Sequence, residues 1–414
     1  MRTNGYFEFL TYFVDLEDPR ADRGNNHSLI DMVGLVLCGT ICGADTWADI
    51  ERFCKAHRAW FEEFLELPYG VPSHDTFGRV FSLLDTEQLQ QCLAAWVEHL
   101  QFCLEGETVA IDGKTLRGSH DKAAGLKPLH VVNVWANHVK FCLGQISVSE
   151  KSNEIPAVQE LLDILNLKGD VVTADAMHCQ KQTVKKIIEG EADYVLQVKN
   201  NQPTLMKTIA EIIDEHEATG FAAKSVRQRT TTERNRGRVE TRTCTVCPAP
   251  ATLRNKWTGL KTIGRIDRKR VLSDGTEQFE TSYFISSLAP RVRPHARHLR
   301  EHWSIENTLH HTLDVTFAED SSRIRKGNGP EIISVFRRLA LSILKADTTV
   351  KDNVRGKRLT AGWNLDKLKG ILAAFQDVGT CDCPGGRPQM NSPHMQIDHR
   401  GAETFVPQQS TDGQ

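Results

Sequence analysis

Three carboxylates stand where side chains of their type can do phosphate chemistry. Asp112 closes the mostly apolar run Thr108–Asp112 (TVAID), and Gly113 is expected to open the turn after it. Asp175 follows the apolar run Val171–Ala174. Aspartates at the C-terminal ends of two strands meet if those strands are neighbours in one sheet. Hard divalent cations take one or two carboxylates together with waters and substrate phosphates. Taken singly, either aspartate could equally cap the turn that follows it. Glu306 adds the third group. Leu299, Trp303, Glu306, His310, Leu313 and Phe317 follow a four-three-four-three-four spacing, so they share one stripe of a helix, and the rest of the stripe is mainly apolar. A carboxylate on the buried side of a helix is costly unless it is paired or binds a metal. Glu306 is therefore expected to face inward as a ligand, with Glu301, Glu319 and Asp320 as alternates that look more like helix surface or cap. Three such carboxylates suit Mg²⁺ (or Mn²⁺). Two ions ~3.5–4 Å apart can activate a water or a 3′-hydroxyl and stabilise the leaving oxygen in phosphodiester transfer.

Cations lie near each carboxylate in the sequence. Lys114 and Arg117 follow Asp112, Lys199 ends the run Tyr194–Lys199, and Arg323, Arg325 and Lys326 follow the Glu306 helix. All suit contacts to phosphate. The densest basic stretch, residues 224–270, holds 14 Lys and Arg against 3 Asp and Glu, with Arg236 and Arg238 among them. Such a run marks either a polyanion partner or a solvated β-rich face, and it does not choose between them. The formal net charge of −2, taken alone, speaks against a polyanion partner. It conceals a cancellation, because residues 1–111 hold 7 basic and 18 acidic side chains whereas residues 112–350 hold 36 and 28. Attraction to phosphate is thus expected from the middle of the chain. His178 either orients a water or packs and caps. Trp303 reads as a core residue, with stacking on an unpaired base as the other use of its ring.

Competing chemistries fare less well. Gly113–Thr115 (GKT) resembles the end of a phosphate loop, but Thr108 stands where its first glycine belongs. Cys244 and Cys247 form a lone CxxC, Cys381 and Cys383 a lone CxC, with no second pair at a zinc spacing. His302, Glu306 and His310 share a helix face but lack the HExxH order, and no GxSxG elbow is present.

The elements that must position these residues divide the chain. Residues 1–105 read as helical: Leu29–Cys42, Trp47–Leu65 and Glu87–Leu104 show i, i+3/i+4 apolar spacing, and Ser73 or Asp75 can cap a helix over Thr76–Leu84. Residues 106–203 run β-β-β-α-β-α-β, which predicts a mixed sheet covered by helices, an α/β core. Residues 204–290 begin with a short helix, Thr204–Glu217, and then turn to Thr- and Arg-rich β-type sequence, and 291–375 are helical again. From 376 to 414 there is no periodicity, and the segment reads as disordered. No run reaches the ~18 apolar residues of a membrane span, and the N-terminus lacks the order of a secretory signal. Eleven scattered cysteines then suggest reduced thiols and a cytoplasmic home.

Six blocks carry a family resemblance. AIDGKTLRGS (110–119), VVTADAMHCQK (171–181), DYVLQVKNNQP (193–203) and HWSIENTLHHTLDVTFAEDSSRIR (302–325) resemble the H-repeat-associated family of bacterial insertion-sequence transposases. GVPSHDTFGRVF (70–81) resembles the end of that family's N-terminal associated domain, and KRLTAGWN (357–364) its C-terminal close. The resemblance spans about residues 8–375. It implies an RNase H-like core with Asp112, Asp175 and Glu306 as its catalytic, metal-holding triad, and a β-rich insertion before the glutamate helix. It further implies Mg²⁺-dependent cleavage at element ends, joining of 3′-hydroxyls to target, double-stranded DNA as partner, a homodimer on DNA, and a nucleoid location. Related transposases with such insertions show a Tyr-Arg-Glu-Lys pattern. Here Leu299, His302 and Leu313 stand at the other three positions, so Glu306 rests on the closer pattern HWxIEN. Two alternatives are a nuclease on the same fold without strand joining and a decayed or domesticated DNA-binding protein.

Overall fold

A computed structural model of the chain describes residues 5–20, 25–100, 106–120, 125, 127–148, 154–220, 225–235 and 237–376. Arg236 and the segment from 377 on, expected to be disordered, lie outside the described residues.

The early helices begin where short polar side chains can cap them. Ser28 Oγ accepts from the Asp31 N–H at the start of α1 (Leu29–Ile41), and a Thr46–Asp49 capping box opens α2 (Trp47–Ala56). The expected helix over 47–65 breaks at His57 into α2 and a single turn, α3 (Arg58–Phe61). Of the two cap candidates before α4 (His74–Leu83), Ser73 takes the role, and α5 (Thr86–Leu100) follows. Helix α1 is buried almost all round, and each large apolar side chain there contributes about 1.5–3 kcal/mol relative to exposure.

The next segment builds the sheet that carries the aspartates. Its strands are β1 (Thr108–Leu116), β2 (Leu129–Ala136), β3 (Phe141–Val148), β4 (Val171–Ala174) and β5 (Asp193–Val198), with helices α6 (Glu154–Ile164) and α7 (Lys181–Glu189) between them. Strands β1–β3 pair antiparallel, and β4 and β5 run parallel beside β1. The turn expected at Gly113 is not there: β1 continues to Leu116, because its antiparallel pairing with β2 outlasts its parallel pairing with β4.

After α8 (Pro203–Ala218) come β6 (Arg227–Asn235), β7 (Arg238–Pro248), a short α9 (Ala251–Arg254), β8 (Thr262–Val271) and β9 (Glu277–Ser286). Strand β9 pairs antiparallel with β5, so these strands extend the same sheet to nine, in the order β3-β2-β1-β4-β5-β9-β8-β7-β6. Cys244 and Cys247, three apart on β7, point to opposite faces and pack in two separate apolar clusters. They are core residues and do not form a metal pair.

Helix α10 (Val292–His302), a π-helical turn (Ile305–His310) and α11 (His311–Thr316) then lie over the sheet. Helices α12 (Gly329–Ala346), α13 (Val354–Trp363) and α14 (Leu365–Gln376) pack back against the N-terminal helices, and one apolar core runs through both. Among the described residues no helix is long and apolar enough to cross a membrane.

Candidate active site

The parallel ladder between β1 and β4 sets the two aspartates side by side. Its last pair is Ile111 with Ala174, so Asp112 and Asp175 are the next residues in register on each strand. Asp112 is mostly buried and Asp175 about half exposed. Burial first, then the charges of Asp175 and Glu306, push the Asp112 carboxyl up to about 6. Asp175 moves the other way: its contact with His302, against the effect of burial, holds it below the ordinary carboxylate range.

The helix above supplies a histidine for each aspartate. His302 Nε2 stands 3.5 Å from Asp175 Oδ1, and its Nδ1 meets the Thr173 hydroxyl at 3.2 Å. His310 Nδ1 stands 3.6 Å from Asp112 Oδ2. Glu306 lies midway between them in sequence, and its charge acts on Asp112. The expectation that Glu306 sits on the buried stripe needs correction, because its side chain is exposed. The inward positions are Ile305, Leu309, Leu313 and Phe317, and the π-helical turn changes the helical phase between α10 and α11. Trp303 is half-buried, with the Arg268 guanidinium 5.2 Å from its ring centre.

Behind the carboxylates lies a buried polar layer. Asn133, paired across from Asp112 on β2, touches Arg338 through its oxygen and His310 Nε2 through its amide nitrogen at 3.3 Å. Arg338, 2% exposed, pairs with Glu319 at 2.7 Å. On the other side, Glu154 is clamped by His130 at 2.5 Å and His178 at 3.5 Å. Those contacts overcome the effect of burial and bring its carboxyl down to about 2. Gly113 has to be glycine here, since a Cβ would come within 2.5 Å of His130 Nε2. The sequence reading left Asn133, Glu154 and Arg338 out and took Glu319 for surface or cap. The usable signal was the polar residue inside an apolar run: Asn133 in LHVVNVW, Arg337 and Arg338 in α12.

The cations fall into two groups. Lys114 is buried and held by Asp314 at 2.6 Å, Asp320 at 3.5 Å and Glu319 at 3.8 Å, so it is not presented to a phosphate. Arg117 and Lys199 are exposed; Arg117, just past the end of β1, lies 3.5 Å from Asp320, and the Lys199 charge reaches Asp175. Arg323 is exposed, whereas Arg325 donates to the Gly118 carbonyl at 3.0 Å. Gly118 permits that approach, because a Cβ there would stand 2.4 Å from the Ser322 carbonyl oxygen.

Within the basic run, carboxylates take up much of the charge. Arg265 binds Asp214, Glu217 and Asp267; Arg242, Arg268 and Arg270 converge on Glu240. Arg238 is exposed at the start of β7. A cavity of about 480 Å³ opens between these strands and α10, lined by Arg229, Arg242, Arg268, Arg293, Arg297 and Trp303 among others.

The donor set fits a divalent cation in its chemistry: carboxylate oxygens, with mutual repulsion that such an ion would relieve. Among the described residues, no three His, Cys, Asp or Glu side chains already stand close enough together to hold one.

Known proteins resemble the chain over most of its length. Residues 104–343 match the family described as Transposase DDE domain, and residues 10–97 match DDE_Tnp_1-associated. The chain therefore belongs to the DDE-domain transposase family. It is 35% identical over 375 residues to "Putative transposase YncI" of Escherichia coli O157:H7, covering 89% of this chain and 95% of that one. It is 34% identical over 364 residues to "H repeat-associated putative transposase YhhI" of Escherichia coli (strain K12), covering 86% and 96%. Among solved structures, the piggyBac transposase synaptic complex with hairpin DNA aligns at a TM-score of 0.37 and 9% identity, over 91% of this chain and 78% of that one. That likeness is too slight to bear on the fold.

Proposed function

We propose that the chain is a divalent-metal-dependent DNA transposase that cuts at the ends of its own element and joins the 3′-hydroxyls to target DNA. One observation carries the reading: Asp112 and Asp175 stand next in register where the β1–β4 ladder stops, beneath the helix that bears Glu306. The strand order β3-β2-β1-β4-β5, with the last two parallel to β1, supports an RNase H-like core.

In this reading Asp112, Asp175 and Glu306 hold the metal, Mg²⁺ or Mn²⁺. Bound ions supply activation of the attacking water or 3′-hydroxyl and stabilisation of the leaving oxygen. The protein's own part is to keep like charges together until the cation arrives. His302 and His310 contact the two aspartates, and the exposed Arg117, Lys199, Arg323 and Arg238 offer charge to the DNA backbone. Two element ends must be held at once, which a homodimer on DNA would satisfy.

The test is Asp175→Asn in a purified cleavage-and-joining assay on end-bearing DNA. Loss of both products with an unchanged fold is expected. Joining at the wild-type rate overturns the metal assignment, and cleavage without joining by the wild type makes the protein a nuclease.

A further inference from the structure

A chain of hydrogen-bonding groups runs from α12 to His310, which stands beside Asp112, and its chemistry fixes every proton along the way. Arg338 can only donate, so the Asn133 atom that its Nε reaches must be the amide oxygen. The Asn133 nitrogen also donates to the Val131 carbonyl at 3.3 Å, which fixes the same amide orientation independently. That nitrogen is the atom facing His310 Nε2 at 3.3 Å. His310 Nε2 must then accept, and a neutral imidazole that accepts through Nε2 carries its proton on Nδ1. Nδ1 is the atom 3.6 Å from Asp112 Oδ2, while Asp112 Oδ1 accepts from the Gly113 N–H at 2.8 Å.

Resting on the metal-site reading above, we propose that His310 is a positioning residue. Arg338 and Asn133 lock it in the Nδ1–H tautomer, which presents a donor to one Asp112 oxygen and orients the carboxylate for a divalent cation. Arg338 is itself immobilised: its guanidinium binds Glu319 at 2.7 Å and both the carbonyl and the hydroxyl of Ser334, at 3.1 and 2.5 Å. The chain therefore starts from a fixed point. Groups that orient metal ligands from behind typically change affinity roughly 10- to 100-fold when removed.

Two measurements on the full chain test this. The first is the imidazole nitrogen spectrum of ¹⁵N-histidine-labelled, metal-free protein, with His310→Asn used to assign the signal. His310 is expected as Nδ1–H in the wild type. In Asn133→Asp, where the carboxylate faces Nε2 with acceptors only, it is expected to switch to Nε2–H. A wild-type His310 protonated on Nε2, or on both nitrogens, overturns the proposal.

The second is Mn²⁺ affinity by calorimetry. His310→Ala and Asn133→Asp should each weaken binding on the order of 10-fold. His310→Asn, whose amide nitrogen replaces Nδ1, should restore it to within about 3-fold of wild type, a recovery that a packing role would not give. Equal affinity in wild type and His310→Ala overturns the positioning role while leaving the metal site intact. A wild-type chain that takes up no Mn²⁺ overturns the metal site as well.

Discussion

At each end of the parallel β1–β4 pair, two acidic residues stand opposite each other. Glu107 and Asp170 come just before the strands begin, and Asp112 and Asp175 just after their pairing stops. The lower pair is sealed. Both residues are buried, the Glu107 N–H donates to Asp170 at 3.2 Å, and the Glu107 carboxylate accepts from the backbone of Thr108 and His138. Burial, with the Glu107 charge adding to it, pushes the Asp170 carboxyl up to about 7. The upper pair is open on the Asp175 side, and it has a third carboxylate nearby, a histidine against each aspartate and the exposed Lys199, whose charge reaches Asp175. Two acids across a ladder do not by themselves make a site. Access and the charges around them separate the sealed pair from the open one.

The largest expected effect tests that distinction directly. Asp175→Asn should lower cleavage and joining on the order of 10³-fold, whereas Asp170→Asn, at the sealed end, should leave both within a few-fold of wild type in the same assay. Next comes the support behind the upper pair. Arg338→Met removes the nearer of the two cations from the buried Glu319 and leaves only Lys114, at 3.8 Å; losing one member of a buried ion pair costs about 3–5 kcal/mol. Denaturant unfolding at pH 7 reads this out.

The pH dependence of stability separates the two ends. Asp170 and Asp112 have folded-state values of about 7 and about 6, against an ordinary 3.8. The folded chain thus holds these protons more tightly than the unfolded chain. Their contribution is most favourable below pH 4 and is lost as pH rises toward 7, on the order of 3–4 kcal/mol per group. Asp170→Asn and Asp112→Asn should each flatten the curve over its own range. Added Mg²⁺ should recover only the share belonging to Asp112. The smallest effect belongs to an exposed cation just past the end of β1. Arg117→Ala should weaken binding to any duplex and reduce the slope of log affinity against log salt by about one.

How far the site could be read in advance depended on whether its parts are local. Ser73 at a cap, the short apolar run before Asp175, and the α7 and α8 segments are local patterns, and the folded chain keeps them. Lys114 shows the opposite case. Beside Asp112 in sequence it looks like a phosphate contact, but the carboxylates that hold it are about two hundred residues away. The basic run misleads for the same reason, since Asp214 and Glu217 on α8 and Glu280 on β9 take up charge that sequence counting leaves free. Glu306 was singled out on a physical ground that does not hold, because its side chain is exposed. A 3.6-residue period assumes an unbroken α-helix, and the π-helical turn through Ile305–His310 alters the phase at that residue.

The sequence by itself determined which residues had the means for metal-assisted phosphate chemistry, the order of helices and strands, and a family resemblance that the comparisons bear out. Side-chain type and short-range periodicity suffice for those. Only the tertiary structure decided that β1 outruns β4 so that Asp112 and Asp175 fall next in register, that the insertion strands continue the same sheet, and that a buried arginine reaches Asp112 through Asn133 and His310. Each of these depends on pairing between distant segments. Strand register and the partners of buried charges are chosen by the whole fold, because a buried polar group must find its partner wherever the packed chain brings one.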